Sequence, residues 1–404
     1  MKNLLFFILF TFSAAAGMAQ SNPLLKQGVE YGRRKQYAEA IAVFNEYIAK
    51  FPKDANGYYN RGAVYSVTGE TQKAIADYTK TIALDPKVVA AYVNRGSAYS
   101  ELKMFKEALA DYDKALLLSP KMAEVYNNRG YLLAMQEKYE EAIRDYSKAI
   151  ELNPGYSRAY VNKAFAVSSM GDTKGAITIL THFISLAPDA YEGYMNRAVQ
   201  YEAIGEKRKA LADYDKGIDL FTADAKAYLS RSKLRDEFGD DAGAVADCIN
   251  AIQLQPNNGD AYHLKARAEY DLKRYEDVIA DCTKAIQLKG DFAEAYVLRG
   301  NAYDLTKQYE QALKDYSFAI ELAPDDAEGY MQRAIAKAAQ NDMVGTLSDL
   351  SRLLEIDPKN VKALVLRGDL YVYINKKELA CEDYKKAEAL GDGSAISKRM
   401  FNCK

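Results

Sequence analysis

The pentapeptide YVNRG at 92–96 returns 34 residues to either side, as YYNRG (58–62), YNNRG (126–130), YVNKA (160–164) and YMNRA (194–198). Written in rows of 34 from Ser21, the chain fills eleven rows to Ser394 with no insertion or deletion. A period this strict constrains the fold more than composition does. One supersecondary unit, too small to bury its own apolar face, must be stacked in a line.

Within a row, position 4 is nearly always tyrosine (Tyr58, Tyr92, Tyr126, Tyr160) and position 8 is small (Gly62, Gly96, Gly130, Ala164). Positions 4, 8 and 11 make one helical stripe and positions 20, 24 and 27 a second, so each row predicts two amphipathic helices. Position 15, often glycine (Gly69, Gly171, Gly205, Gly239), falls between them, where a tight turn needs positive φ. Position 32 is proline in eight rows, among them Pro52, Pro86 and Pro120, and stops the second helix.

These residues resemble the tetratricopeptide repeat pattern of aromatic at 4, small at 8, aromatic at 11, alanine at 20, aromatic at 24, alanine at 27 and proline at 32, over residues 21–394. The resemblance implies an all-α solenoid, a right-handed superhelix of eleven helix pairs (21–54, 55–88, 89–122, 123–156, 157–190, 191–224, 225–258, 259–292, 293–326, 327–360, 361–394). In it the first helix of each pair lines a concave groove, and 395–404 forms a C-terminal capping helix. It also implies a non-catalytic scaffold that binds peptides or protein segments. Leu180, Cys248 and Cys282 replace the aromatic at position 24, and Thr222 and Gly290 the proline at position 32. Looser packing is therefore expected around 220–292.

Lys2, the apolar run Leu4–Phe12 and the small residues Gly17 and Ala19 read as a cleaved signal peptide over 1–20. No later run is long enough to span a membrane, so the expectation is an exported protein, periplasmic or secreted, similar to scaffolds of Gram-negative bacteria. With 54 basic and 56 acidic residues, no net charge favours nucleic acid.

Nothing in the sequence supports an enzyme, a metal or a cofactor. The two histidines, His182 and His263, lie in different rows, and no cysteine and histidine cluster has ligand spacing. Most of the 32 tyrosines fall on repeat positions 4, 11, 17 and 24, so they read as packing. Cys248 and Cys282 read as buried core thiols. Cys381 and Cys403 either pair to staple the cap or stay as two free thiols.

Position 7 is basic and position 23 is aspartate in most rows: Arg61 with Asp77, Arg95 with Asp111, Arg129 with Asp145. Pairing within a row leaves fewer orphans than pairing forward, so these read as structural ion pairs that set the angle between helices. Position 6 is asparagine in five consecutive rows: Asn60, Asn94, Asn128, Asn162 and Asn196. It lies about 160° from the apolar stripe of its helix and so points away from the partner helix, a direction that the family resemblance implies is the groove. Carboxamides there can hold the backbone of an extended chain, similar to the asparagine row of the O-linked N-acetylglucosamine transferases.

Further on, position 6 reads Leu264, Leu298 and Leu366, and Met331 stands beside it at position 5, which predicts an exposed apolar strip. Three functions follow: a scaffold gripping a protein segment, with Tyr131 and Phe165 in the same groove; an assembly or self-association role through the apolar half; and carbohydrate or cell-wall binding through groove aromatics, Tyr131, Phe165 and Tyr270.

Overall fold

A computed structural model describes residues 22–403; the signal segment expected over 1–20 lies outside the described residues. Among the described residues there are twenty-three α-helices and no strand. Each repeat contributes two helices, as in Val89–Glu101 and Phe105–Leu118 of repeat three, and Gly393–Asn402 follows the last pair. No helix is long and apolar enough to cross a membrane.

Local chemistry sets the helix ends. Several first helices start on an acceptor side chain: Asn22 takes the Leu24 amide, Asp54 that of Asn56 and Asp326 that of Glu328. At position 15 every repeat turns through the left-handed region. Glycine does so at Gly69, Gly171, Gly205 and Gly239, and Lys35, Lys103, Glu137, Lys273, Lys307, Asn341 and Asn375 adopt the same conformation. Second helices end in register with or without proline. Tyr275–Leu288 stops before Gly290 at the place where Phe105–Leu118 stops before Pro120, so the proline reinforces a stop that the turn already makes.

The described residues up to Asp213 form one compact unit, and those from Tyr214 onward form another. Within each, a first helix packs on its own second helix and on the second helix of the preceding repeat, and neighbouring first helices also touch. In the second unit that contact runs through the repeats beginning at Ala225, Gly259, Ala293 and Ala327, but the helix Val361–Tyr373 stands further from Ala327–Ala339.

The core of a repeat is a glycine and a ring. A β-carbon on Gly96 would lie 3.0 Å from Tyr112 Cε1, and one on Gly300 only 2.6 Å from Tyr316 Cε1; Gly62, Gly130 and Gly368 face Tyr78, Tyr146 and Tyr384 in the same way. The rings are almost fully buried. Where position 8 carries a side chain, position 24 usually shrinks: Ala164 with Leu180, Ser232 with Cys248, Ala266 with Cys282, Ala334 with Leu350. Cys248 and Cys282 are free and buried, and burial pushes the Cys248 thiol up to about 11.

At the C-terminal end, Cys381 and Cys403 are joined by a disulfide with their Cα atoms 5.8 Å apart. Arg399 adds a bridge to Glu388 at 2.6 Å, and Lys398 pairs with Asp369. Together these fix the final helix over the last repeat.

Candidate partner-binding surface

Arg95 donates from Nε and Nη2 to the two carboxylate oxygens of Asp111, at 2.8 and 2.7 Å, a two-pronged bond across the two helices of one repeat. Arg61 with Asp77 and Arg129 with Asp145 repeat the geometry. The remaining nitrogen is also used. Nη1 of Arg95 donates to Thr79 Oγ1 at 3.0 Å, that of Arg61 to Asn45 at 2.6 Å and that of Arg129 to Asp113 at 2.7 Å, each on position 25 of the preceding repeat.

This third partner was legible in the rows, because position 25 is polar wherever an arginine follows: Thr181, Asp215, Thr283, Ser317 and Ser351 are further cases. Where it is apolar, at Ile249, the next repeat carries Lys265 instead of arginine. The aspartate holds each guanidinium more firmly protonated than usual. Arginines so committed offer no free fork to an external anion.

In repeat eight the pattern carries an extra acid. Lys265 Nζ lies 2.5 Å from Asp281 and 2.8 Å from Glu269, which stands at position 11 where most rows have an apolar or aromatic residue. Glu269 is only 2% exposed, and its Oε2 has no hydrogen-bond partner among the described residues. Burial, reinforced by Asp281 and opposed by Lys265, pushes its carboxyl up to about 7.

The asparagine row is placed differently from the expectation of side chains open in a groove. Asn60, Asn94 and Asn162 are buried, at 1%, 2% and 8% exposure. Asn94 Nδ2 donates to Tyr59 Oη at 3.3 Å, and Asn162 Nδ2 to Asn127 Oδ1 at 3.0 Å, both on the first helix of the preceding repeat. The angle from a helix's own apolar stripe describes one pair, but stacking lays the neighbouring first helix over position 6. Asn60 and Asn196 bond back to the Asn56 and Glu192 carbonyls. Asn128 and Asn196 are only partly buried.

The apolar strip is corrected for the same reason. Leu264, Leu298 and Leu366 are half-buried and Met331 is 5% exposed, the last three packed into local cores. Of the groove aromatics, Tyr131 and Tyr270 are half-buried, with Tyr270 edge-on to Tyr275, whereas Phe165 is 44% exposed. Its counterpart one repeat on, Val199, is 47% exposed, and the two first helices touch. They form an exposed apolar pair in the first unit, at position 9 instead of position 6. Elsewhere, Asp236, Asp241 and Asp271 bring carboxylate oxygens within 4.8 Å of one another, but Asp236 also pairs with Arg267.

Residues 55–88, 89–122, 123–156 and 293–326 match a family model described as Tetratricopeptide repeat, and two further models of that description match 24–54 and 259–292 with 361–390. Together they cover more than half of the chain. The chain is a tetratricopeptide repeat protein.

Among solved structures, a tetratricopeptide repeat protein from Parabacteroides merdae ATCC 43184 is 24% identical over 61% of this chain and 97% of its own, with a TM-score of 0.49. Yeast Tom70 is 16% identical over 94% and 93%, with a TM-score of 0.42. YrrB, described as a TPR protein with an unusual peptide-binding site, is 28% identical over 46% and 95%, with a TM-score of 0.37. None of the curated proteins is a match. Tetratricopeptide repeat proteins bind protein or peptide partners and are generally non-catalytic, so the coarse function here is that of an interaction scaffold.

Proposed function

We propose that this tetratricopeptide repeat protein is an exported scaffold that holds a segment of another protein against the first helices of repeats five and six. The observation that carries this is the exposed pair Phe165 and Val199, at equivalent positions of touching helices, beside the partly buried carboxamide of Asn196. Buried Asn94 and Asn162 instead tie a first helix to the one before it. An extended segment would lay apolar side chains on the pair and bond its backbone to the polar edge. The Cys381–Cys403 disulfide supports an oxidising location.

Affinity capture with the wild type and with Phe165→Asp/Val199→Asp tests this, with circular dichroism confirming the fold. Loss of the same partners from the variant is expected; equal capture overturns the placement. Asn94→Ala would instead act on stability, since that side chain lies between repeats.

A further inference from the structure

Repeat ten lacks a ring at position 24, where seven other repeats have one, Phe44 and Tyr214 among them. In repeats two, three, four, nine and eleven a tyrosine at position 24 packs on the glycine at position 8. In four of them its hydroxyl reaches position 9 or 12: Tyr78 meets Ser66 at 3.0 Å, Tyr112 meets Ser97 at 3.1 Å, Tyr316 donates to Asn301 at 2.9 Å and Tyr384 to Asp369 at 2.8 Å. The corresponding residues of repeat ten are Leu350, Ala334, Ile335 and Ala338.

Leucine stops short of that path, and these four residues line a partly open cavity of about 300 Å³, closed on its far side by Leu366 and Leu370 of the next first helix. A dry cavity of about half this size holds benzene in another protein. Two polar groups in its wall already have partners. Thr346 Oγ1 donates to the Asp342 carbonyl at 2.7 Å, and the Asp369 carboxylate accepts from Tyr384 and Lys398.

We infer that this cavity receives one phenylalanine ring from a bound protein segment. The inference rests on the scaffold reading. The fold itself indicates the shape, because a buried six-membered ring stands at position 24 in seven sister repeats. It also indicates the polarity, because Ile335 replaces the position 9 acceptor that a tyrosine hydroxyl would use. An added hydroxyl would meet Ile335 in place of that acceptor, and affinity falls roughly tenfold.

The test is saturation-transfer NMR on the full chain with pentapeptides of glycine carrying phenylalanine, tyrosine or alanine at the centre. The phenylalanine peptide should bind, the tyrosine peptide roughly tenfold more weakly and the alanine peptide not at all. Ala334→Gly/Leu350→Tyr, which restores the pattern of the sister repeats, should abolish binding with no fall in Tm. If that variant does not fold, Ala338→Phe closes the exposed mouth and should give the same loss.

Equal binding of the phenylalanine and tyrosine peptides, or binding unchanged in a folded, filled variant, overturns the inference. So does light scattering that shows wild-type dimers and filled-variant monomers, since the occupant would then be a second copy. Partner capture that survives filling while Phe165→Asp/Val199→Asp abolishes it also overturns the cavity, and leaves the scaffold reading intact. Phenylalanine-peptide binding without any captured partner supports the cavity and counts against the scaffold.

Discussion

Arg95 shows how much a single repeated pair contributes. Its side chain is 16% exposed and that of Asp111 only 7%, so neither charge can return to water if the other is removed. Asp111→Ala should therefore destabilise by about 2–4 kcal/mol, most of it the cost of an unpaired guanidinium. Replacing both, as Arg95→Met/Asp111→Leu, should recover much of the loss. Thermal melts of the two variants decide this, and an unchanged Tm in Asp111→Ala would show the pair to be idle.

Glu269 acts in the opposite sense. A carboxyl whose proton is held more tightly in the folded state, to about 7 against the ordinary 4.5, adds stability that is complete below about 4.5 and lost as pH rises through 7. Chemical denaturation across pH 4.5 to 8 should show a decline of up to about 3 kcal/mol in the wild type relative to Glu269→Gln. Parallel profiles would exclude the mechanism. Burial is the largest cause of the shift, and Lys265 and Asp281 are the charged groups that act on the carboxyl.

At the scale of the helix pair, glycine at position 8 and a ring at position 24 go together in six repeats, with Ala198 and Tyr214 of repeat six the exception. Gly300→Ala installs a better helix former yet puts a methyl 2.6 Å from a buried ring. Overpacking should outweigh propensity, with a net loss of about 1–2 kcal/mol. Gly300→Ala/Tyr316→Leu, which copies repeat ten, should regain part of it; a single variant more stable than the wild type would contradict the coupling.

The helix pairs themselves were legible from spacing alone, because the stripes at positions 4, 8 and 11 and at 20, 24 and 27 need only the helical period. The exposure of position 6 was not. A stripe angle says which way Asn94 points from its own partner helix, but the atom that covers it, Tyr59 Oη, belongs to a helix 35 residues earlier. Phe165 stands out in the sequence as an aromatic, whereas its pairing with Val199 depends on the contact between neighbouring first helices. The ion pairs were legible because both partners recur in register.

At the largest scale, each described helix pair packs chiefly on the pairs before and after it, so a terminal repeat has half the neighbours of an inner one. The disulfide and the Arg399–Glu388 bridge secure one end only; the helix Pro23–Arg33 at the other has no such closure among the described residues. Fraying is thereby given a direction. Amide hydrogen exchange should be fastest in the first repeat and slow in the last, and reduction of the disulfide should speed exchange selectively in Lys377–Asn402. An assembly that orders its stack from the end without a closure finishes at the disulfide, and oxidation after the last helix docks would make that final step the one that cannot easily be undone.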